Sequence, residues 1–328
     1  MPEGHTLHRL AQALDAAYAG TTPSVSSPQG RFVEGAALLD GREVAGASAW
    51  GKHLFMEFAG DRWLNVHLGL IGKFSVDQIS GYAVVPPPWG AVRLRMVNDD
   101  YLADLRGATL VAVVSPEEVE ATVARLGPDP LRTDMPQSDP DRAWARIAKS
   151  GRTCAELLMD QSVLAGVGNV YRCEVLFRHR VNPFRPGKEI RKSTWQAIWD
   201  DLVRLMPLGV TFNQILTMED QVEQATALAA AGRIPQLTST WTDSARRTTP
   251  GPAGVVAAPV VDGQELADIE DTEEDEGGVV GAKFAGMPRR YYVYRRQGER
   301  CRVCGSRVRT KVVAGRNLFW CGNCQRRR

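Results

Sequence analysis

The chain has 328 residues, 44% apolar and 24% charged, a globular composition long enough for two or three cores. That balance excludes a low-complexity or fibrous chain, and since no apolar run approaches the roughly 18 residues of a membrane span, it excludes a helical membrane protein. The formal net charge of +2 averages two opposed segments, with thirteen Lys/Arg and one acid from Arg289 to Arg328 and nine acids and no base from Val255 to Glu276.

The N-terminus carries no basic flank and no apolar signal core, so a cytoplasmic location is expected. Its first residues read Met1-Pro2-Glu3-Gly4-His5. Removal of the initiator Met leaves Pro2 as a free secondary amine, and a terminal amine titrates near about 8, so a useful fraction is nucleophilic at neutral pH. Such an amine attacking a sugar C1′ gives an iminium ion that permits elimination of the 3′ phosphate, with Glu3 beside it as a proton donor. The same letters also serve as helix punctuation, a proline at the first position and an acid in the first turn.

From His5 to Tyr18 the apolar residues Leu7, Leu10, Ala11, Leu14 and Tyr18 fall at helical spacing, and Gly20 stops the helix. The stretches Val44–Trp50, His53–Phe58, Trp63–Leu68, Val92–Val97 and Leu110–Val114 then read as strands, predicting a β-sandwich or flattened barrel with a leading helix over 1–114.

Beyond Val114 the pattern is helical. Ser115-Pro116-Glu117-Glu118 combines an N-cap, a proline and a capping-box acid, opening a helix to Leu126. Helices follow over Ala143–Ala148 and Thr153–Met159, then glycine turns at Leu164-Ala165-Gly166-Val167-Gly168-Asn169, and a further helix over Val170–Phe177. Ser193-x-x-Gln196 caps the next, with Trp195, Ile198, Trp199, Leu202, Leu205 and Met206 on one face. A turn that leads into a helix N-terminus aims free N–H groups at a phosphate. Asn169 there is either an added donor or the N-cap of the following helix. Residues 115–217 form this helical unit. Residues 218–287 are expected to be an acidic, flexible insert, with one helix over Glu219–Ala231 and a disordered Thr238–Glu276.

Residues 288–328 hold the strongest local signal. Cys301-x-x-Cys304 and Cys321-x-x-Cys324, sixteen residues apart, have the spacing of a four-thiolate zinc ribbon. Cys154 and Cys173 lie outside it and read as small buried hydrophobes. Residues 307–313 and 317–320 are strands joined at Ala314-Gly315-Arg316, which puts Arg316 at a hairpin tip. A basic block of this density calls for a polyanion, most commonly phosphate backbone, the alternative being a solvated tail.

Met1-Pro2-Glu3-Gly4, Gly51-Lys52-His53-Leu54, Leu126-Gly127-Pro128-Asp129-Pro130-Leu131, the segment from Leu158 to Asn169 and the stretch from Tyr294 through Gln325 occur in one order. Together they resemble the formamidopyrimidine-DNA glycosylase/endonuclease VIII family, closest to its actinobacterial endonuclease VIII branch. The resemblance implies an α+β multidomain clamp: a β-sandwich with its leading helix, a helix–two-turn–helix domain and a zinc-ribbon-like hairpin finger. It makes Pro2 the Schiff-base nucleophile, Glu3 the general acid and Lys52 a strand-borne lysine at the lesion-flanking phosphate that assists catalysis. Asn169 and Arg316 become phosphate holders, Leu70 the wedge that props open the base stack, and Arg106 the arginine facing the orphan base. Cys301, Cys304, Cys321 and Cys324 hold one structural zinc ion. The implied partner is damaged double-stranded DNA in the nucleoid, met by a monomer.

Thr6 stands where many relatives carry glutamate, and His67-Leu68-Gly69-Leu70-Ile71-Gly72 lacks the usual polar and aromatic members. The expected activity is that of a bifunctional glycosylase and abasic-site lyase excising oxidised pyrimidines, with strand cleavage by β,δ-elimination. The alternatives are the same chemistry on 8-oxoguanine and formamidopyrimidine lesions, or a non-catalytic DNA-binding protein using the same clamp.

Overall fold

The structure is a computed structural model that describes residues 2–81, 84–235 and 287–326. Helix α1 (Gly4–Tyr18) leads into β1 (Ser24–Ser26), α2 (Val33–Leu39), β2 (Val44–Trp50), β3 (His53–Phe58), β4 (Arg62–His67), β5 (Lys73–Gln78), β6 (Val92–Val97), β7 (Tyr101–Arg106) and β8 (Leu110–Val114). The strands make two antiparallel four-stranded sheets, ordered β1-β6-β7-β5 and β2-β3-β4-β8. Inward residues of both, including Leu54, Met56, Leu64, Val66, Phe74, Leu94, Met96 and Leu105, meet Leu7, Leu10 and Leu14 of α1 in one core. The expected sandwich is therefore the observed one. Four elements escaped the sequence pattern. β1 has three residues, α2 has only two buried positions, and β5 and β7 hold polar residues such as Asp77 and Asp104 on buried faces.

Helices α3 (Pro116–Arg125), α4 (Pro140–Ile147), α5 (Cys154–Leu157), α6 (Asn169–Arg178), α7 (Lys192–Phe212) and α8 (Glu219–Ala230) follow, then the hairpin β9 (Val308–Val313) and β10 (Arg316–Cys321). The Ser115/Glu118 capping box opens α3 as expected. The Ser193 cap does not form: α7 begins at Lys192 and has Arg191 at its N-cap, so Ser193 lies inside the first turn. Trp195, Ile198, Trp199, Leu202, Leu205 and Met206 are all buried, as the periodicity requires. Helix α8 buries Val222 and Ala225 in the helical core, so the chain stays packed well past Met218. The disorder expected of Thr238–Glu276 lies outside the described residues.

The hairpin finger and the helices share a single core. Val293, Tyr294, Leu318 and Phe319 pack with Tyr171, Val175 and Leu176. The sandwich docks through α1, where the buried Arg9 donates to the carbonyls of Val210 and Thr211, both at 2.9 Å. A small apolar cluster of Trp50, Phe55, Leu126 and Ala165 closes the junction beside the β2–β3 turn. Among the described residues no helix is long and apolar enough to cross a membrane.

Candidate active site

Glu3 is the N-cap of α1 by backbone, but its side chain turns away from that helix. It is fully buried against the start of α6. Its Oε1 accepts the N–H of Val170 at 2.7 Å, and its Oε2 accepts those of Gly168 at 2.9 Å and Tyr171 at 3.4 Å. The carboxyl thus fills the cap position of a helix more than 160 residues downstream, where free N–H groups and the helix dipole favour an acceptor.

Two glycines make that approach possible. A Cβ on Gly168 would lie 2.4 Å from Glu3 Cδ, and a Cβ on Gly4 would lie 2.7 Å from Gly166 Cα. Gly4 N donates to Gly166 O at 2.7 Å, so the backbone beside the terminal amine rests directly on the two-turn segment. Burial pushes the Glu3 pKa above its ordinary value, while Lys52 and the three N–H donors pull it back.

Lys52 is in a turn and not on a strand. Trp50 and His53 are paired, leaving Gly51-Lys52 as a two-residue hairpin loop with Gly51 at φ +58°, the first-position glycine such a loop favours. The turn points toward Glu3 because Asp129 holds it there. The buried Asp129 carboxylate accepts Gly51 N at 2.7 Å, Leu131 N at 2.9 Å and faces His8 Nε2 of α1 at 3.0 Å. One side chain therefore ties together α1, the Lys52 turn and the chain entering the helical domain. Burial lowers the Lys52 pKa; the Glu3 charge opposes this, and Arg316 and Arg172 reinforce it. Burial thus favours the neutral form of each partner.

Asn169 is not the N-cap of α6, since Gly168 holds that position. Asn169 is buried, its Nδ2 donates to Asn317 O of β10 at 2.9 Å, and its Oδ1 takes a bond from Arg172. Its amide holds the finger against the two-turn segment. Arg172, fully buried, also donates to Val313 O at 3.2 Å and Ala155 O at 3.3 Å. Arg316 opens β10 immediately after the Ala314-Gly315 turn and is half-buried. Its charge depresses both Lys52 and Arg172, and each of those two also feels the charge of the buried Glu3.

The segment after β4 exposes Leu70 at 47% and Ile71 at 78%. His67 fixes its start: Gly69 N donates to His67 Nδ1 at 3.1 Å, which requires that nitrogen unprotonated, and burial lowers the ring's pKa to about 4. The His67 ring lies 5.2 Å from that of His53, next to Lys52. Arg106, the last residue of β7, donates to Asp104 at 2.8 Å and to Trp89 O at 2.9 Å.

The four cysteines bring their sulfurs within 4.8 Å of one another. Cys301 and Cys324 are 3.8 Å apart and Cys304 and Cys321 3.4 Å, far beyond a disulfide. A tetrahedron with Zn–S near 2.3 Å has edges of about 3.8 Å, so the donor set fits zinc. Gly305 has a left-handed φ of +71°, whereas Gly322 has none and instead sits under the Arg309 side chain. Cys154 and Cys173 are buried, and Cys173 Sγ additionally accepts Phe319 N at 3.4 Å.

Sequence reasoning missed Asp129, His67, Arg172 and Trp89. Asp129 stood inside a quoted motif, but its three partners are distant in sequence or set by backbone geometry. Arg172 had no local signal, being one of three charged residues on α6, alongside Glu174 and Arg178, with nothing nearby to mark it as inward-facing.

Residues 1–111 match the formamidopyrimidine-DNA glycosylase N-terminal domain, residues 126–220 the formamidopyrimidine-DNA glycosylase H2TH domain, and residues 298–327 the zinc finger found in FPG and IleRS. The chain is 43% identical over 325 residues to Endonuclease 8 1 of Mycobacterium tuberculosis, covering 99% of this chain and 100% of that one. It is 27% identical over 292 residues to the formamidopyrimidine-DNA glycosylase of Thermus thermophilus, covering 88% and 85% of the two chains. Among solved structures, the Lactococcus lactis Fpg in complex with abasic-site DNA superposes with a TM-score of 0.68 at 19% identity, covering 99% of this chain and 100% of that one.

Proposed function

The chain belongs to the formamidopyrimidine-DNA glycosylase/endonuclease VIII family of bifunctional DNA glycosylases and abasic-site lyases, and we propose that Pro2 and Glu3 carry both reactions here, on oxidised pyrimidines. It is a base excision repair enzyme with a structural zinc ion in its finger. The observation that carries the residue assignment is the buried Glu3 carboxyl, fixed by three N–H groups beside the chain terminus with Lys52 facing it.

With Met1 removed, the Pro2 nitrogen attacks C1′ of the damaged nucleotide. The C1′–base bond breaks, the departing base takes up the proton that the Pro2 nitrogen sheds, and Glu3 gives its own proton to the ring oxygen as the C1′–O bond opens, leaving a cationic iminium on Pro2. Loss of a C2′ proton then drives out the 3′ phosphate, and a second elimination releases the 5′ phosphate. Burial raises the carboxyl's pKa and so favours the protonated form that the donor role needs. Lys52 and Arg316 hold the phosphates flanking the lesion, and Asn169 acts by seating the finger. Leu70, exposed at the tip of its loop, enters the space the extruded nucleotide leaves. One chain supplies both jaws of the clamp, so a monomer on nucleoid DNA is part of the same reading.

Borohydride tests the nucleophile, since reducing the iminium leaves the protein covalently attached to abasic DNA. An adduct is expected with the Met1-processed chain and none with Pro2 acetylated. An equal yield from both would remove Pro2 from the mechanism. The zinc contribution has its own readout. Chelating the metal frees the hairpin that bears Arg316, and the slope of log affinity against log salt should fall by about one per lost phosphate contact. An unchanged slope after metal loss would argue against Arg316 as a phosphate holder.

A further inference from the structure

Trp89 is the most exposed aromatic side chain among the described large hydrophobics, at 73%. It lies in the connection between β5 and β6, and that connection is braced from below. Arg106 Nε donates to Trp89 O at 2.9 Å, and Arg95 donates to Pro86 O at 2.8 Å. The buried Asp104 holds both arginines, Arg95 through 2.7 and 2.8 Å bonds and Arg106 at 2.8 Å. The Arg106 guanidinium carbon also stands 5.9 Å from the Trp89 ring centroid. Two cations and one acid thus present an indole to solvent on a fixed loop, an arrangement that burial of the ring does not explain.

The position of the loop says what the indole faces. Arg106 pairs across the sheet with Lys73 on one side and Val92 on the other. Lys73 follows directly on the loop of Leu70 and Ile71, and Val92 follows directly on Trp89-Gly90-Ala91. The two loops therefore leave the same end of one sheet, and a Cβ on Gly107 would touch Ile71 O at 3.4 Å. The Leu70 loop in turn begins at His67, whose ring contacts His53 beside Lys52. A series of neighbours thus runs from Trp89 through Arg106 and the Leu70 loop to His67, His53 and Lys52.

We infer that Trp89 stacks on the nucleobase left unpaired opposite the lesion, with Arg106 as the positioning residue that holds the ring. This rests on the glycosylase/lyase reading above. When Leu70 fills the space of the extruded nucleotide, the opposite base loses its partner, and a flat indole against its face restores part of the lost stacking. A base of any identity offers such a face, and a purine offers more of it, so Trp89 weights excision toward lesions opposite purines.

The test uses the full-length enzyme with oxidised-pyrimidine duplexes bearing 2-aminopurine opposite the lesion, together with abasic single-stranded DNA under borohydride. Trp89→Ala should lower the ratio of duplex excision to single-strand trapping by about tenfold, while Trp89→Phe retains most of it. The 2-aminopurine emission of the trapped wild-type complex should be quenched relative to that of Trp89→Ala. An unchanged ratio and equal emission, with adducts still trapped, would overturn the role of Trp89. Absence of any trapped adduct with the wild-type enzyme would overturn the underlying reading instead.

Discussion

Glu3→Gln is expected to lower base excision by about 10²- to 10⁴-fold, the usual contribution of a positioned acid. Its effect on cleavage of a pre-formed abasic site should be smaller, because there the base has already gone and the sugar can meet Pro2 in its ring-opened aldehyde form, which makes less demand on the Glu3 proton. Gln is nearly isosteric and can still accept from Val170 or Gly168, so the turn at α6 should persist. What is lost is the transferable proton. Burial raises the Glu3 pKa, so the donor form survives to higher pH than in an ordinary carboxylic acid. The excision limb due to Glu3 should fall as pH rises through that raised value and be absent in Glu3→Gln. The same sign governs folding: the native carboxyl binds its proton more tightly than the unfolded one, so its stabilisation is present at low pH and lost as pH rises through the native value. Single-turnover rates on an oxidised-pyrimidine duplex and on an abasic duplex decide the matter. Equal losses on the two substrates would rule out the acid role.

Glu174→Ala should have the largest effect on stability. Glu174 is fully buried on α6 and accepts four bonds: Thr217 Oγ1 and Tyr292 N at 2.8 Å, and Val293 N and Tyr294 N at 2.9 Å. It anchors the chain where it enters the finger, as Gln325 anchors the far end by donating to Val181 O at 3.0 Å. Removing the carboxylate strands three backbone donors inside the core, at a cost of about 3 kcal/mol or more. In a chain of this size that corresponds to a Tm lower by about 5–10 °C. The finger should loosen first, so duplex affinity should fall along with Tm. A variant that melts with the wild type and binds DNA normally would show that the core contacts of Leu318 and Phe319 suffice without Glu174.

These two carboxylates mark the limit of what was legible in the sequence. Glu3 was identifiable as a catalytic candidate because of its place beside a terminal proline, yet its hydrogen-bond partners begin at Gly168. Glu174 looked like an ordinary helix acid, and nothing local says that it faces inward to meet Tyr292–Tyr294. The family resemblance made Lys52 a strand-borne residue, although the β pattern itself left Gly51-Lys52 between two strands, and the Trp50–His53 pairing puts it in the turn. The Ser193 cap failed for a related reason, since the N-cap falls two residues earlier, at Arg191.

What the sequence determined by itself is whatever depends on near neighbours. The cysteine spacing sets the zinc site because each C-x-x-C places two sulfurs on one side of an ion. Period-two and 3.6-residue patterns set five of the strands and most of the helices, because one face of each must leave water. The Ser115/Glu118 box sets the start of α3 through bonds spanning three residues. The tertiary structure decided everything that depends on closing long loops. It brought Glu3 to α6, Asp129 to the Lys52 turn, Asn169 to the zinc hairpin and Arg106 beneath Trp89. No local preference encodes those meetings; they exist because two cores pack against each other and leave buried polar groups that must find partners.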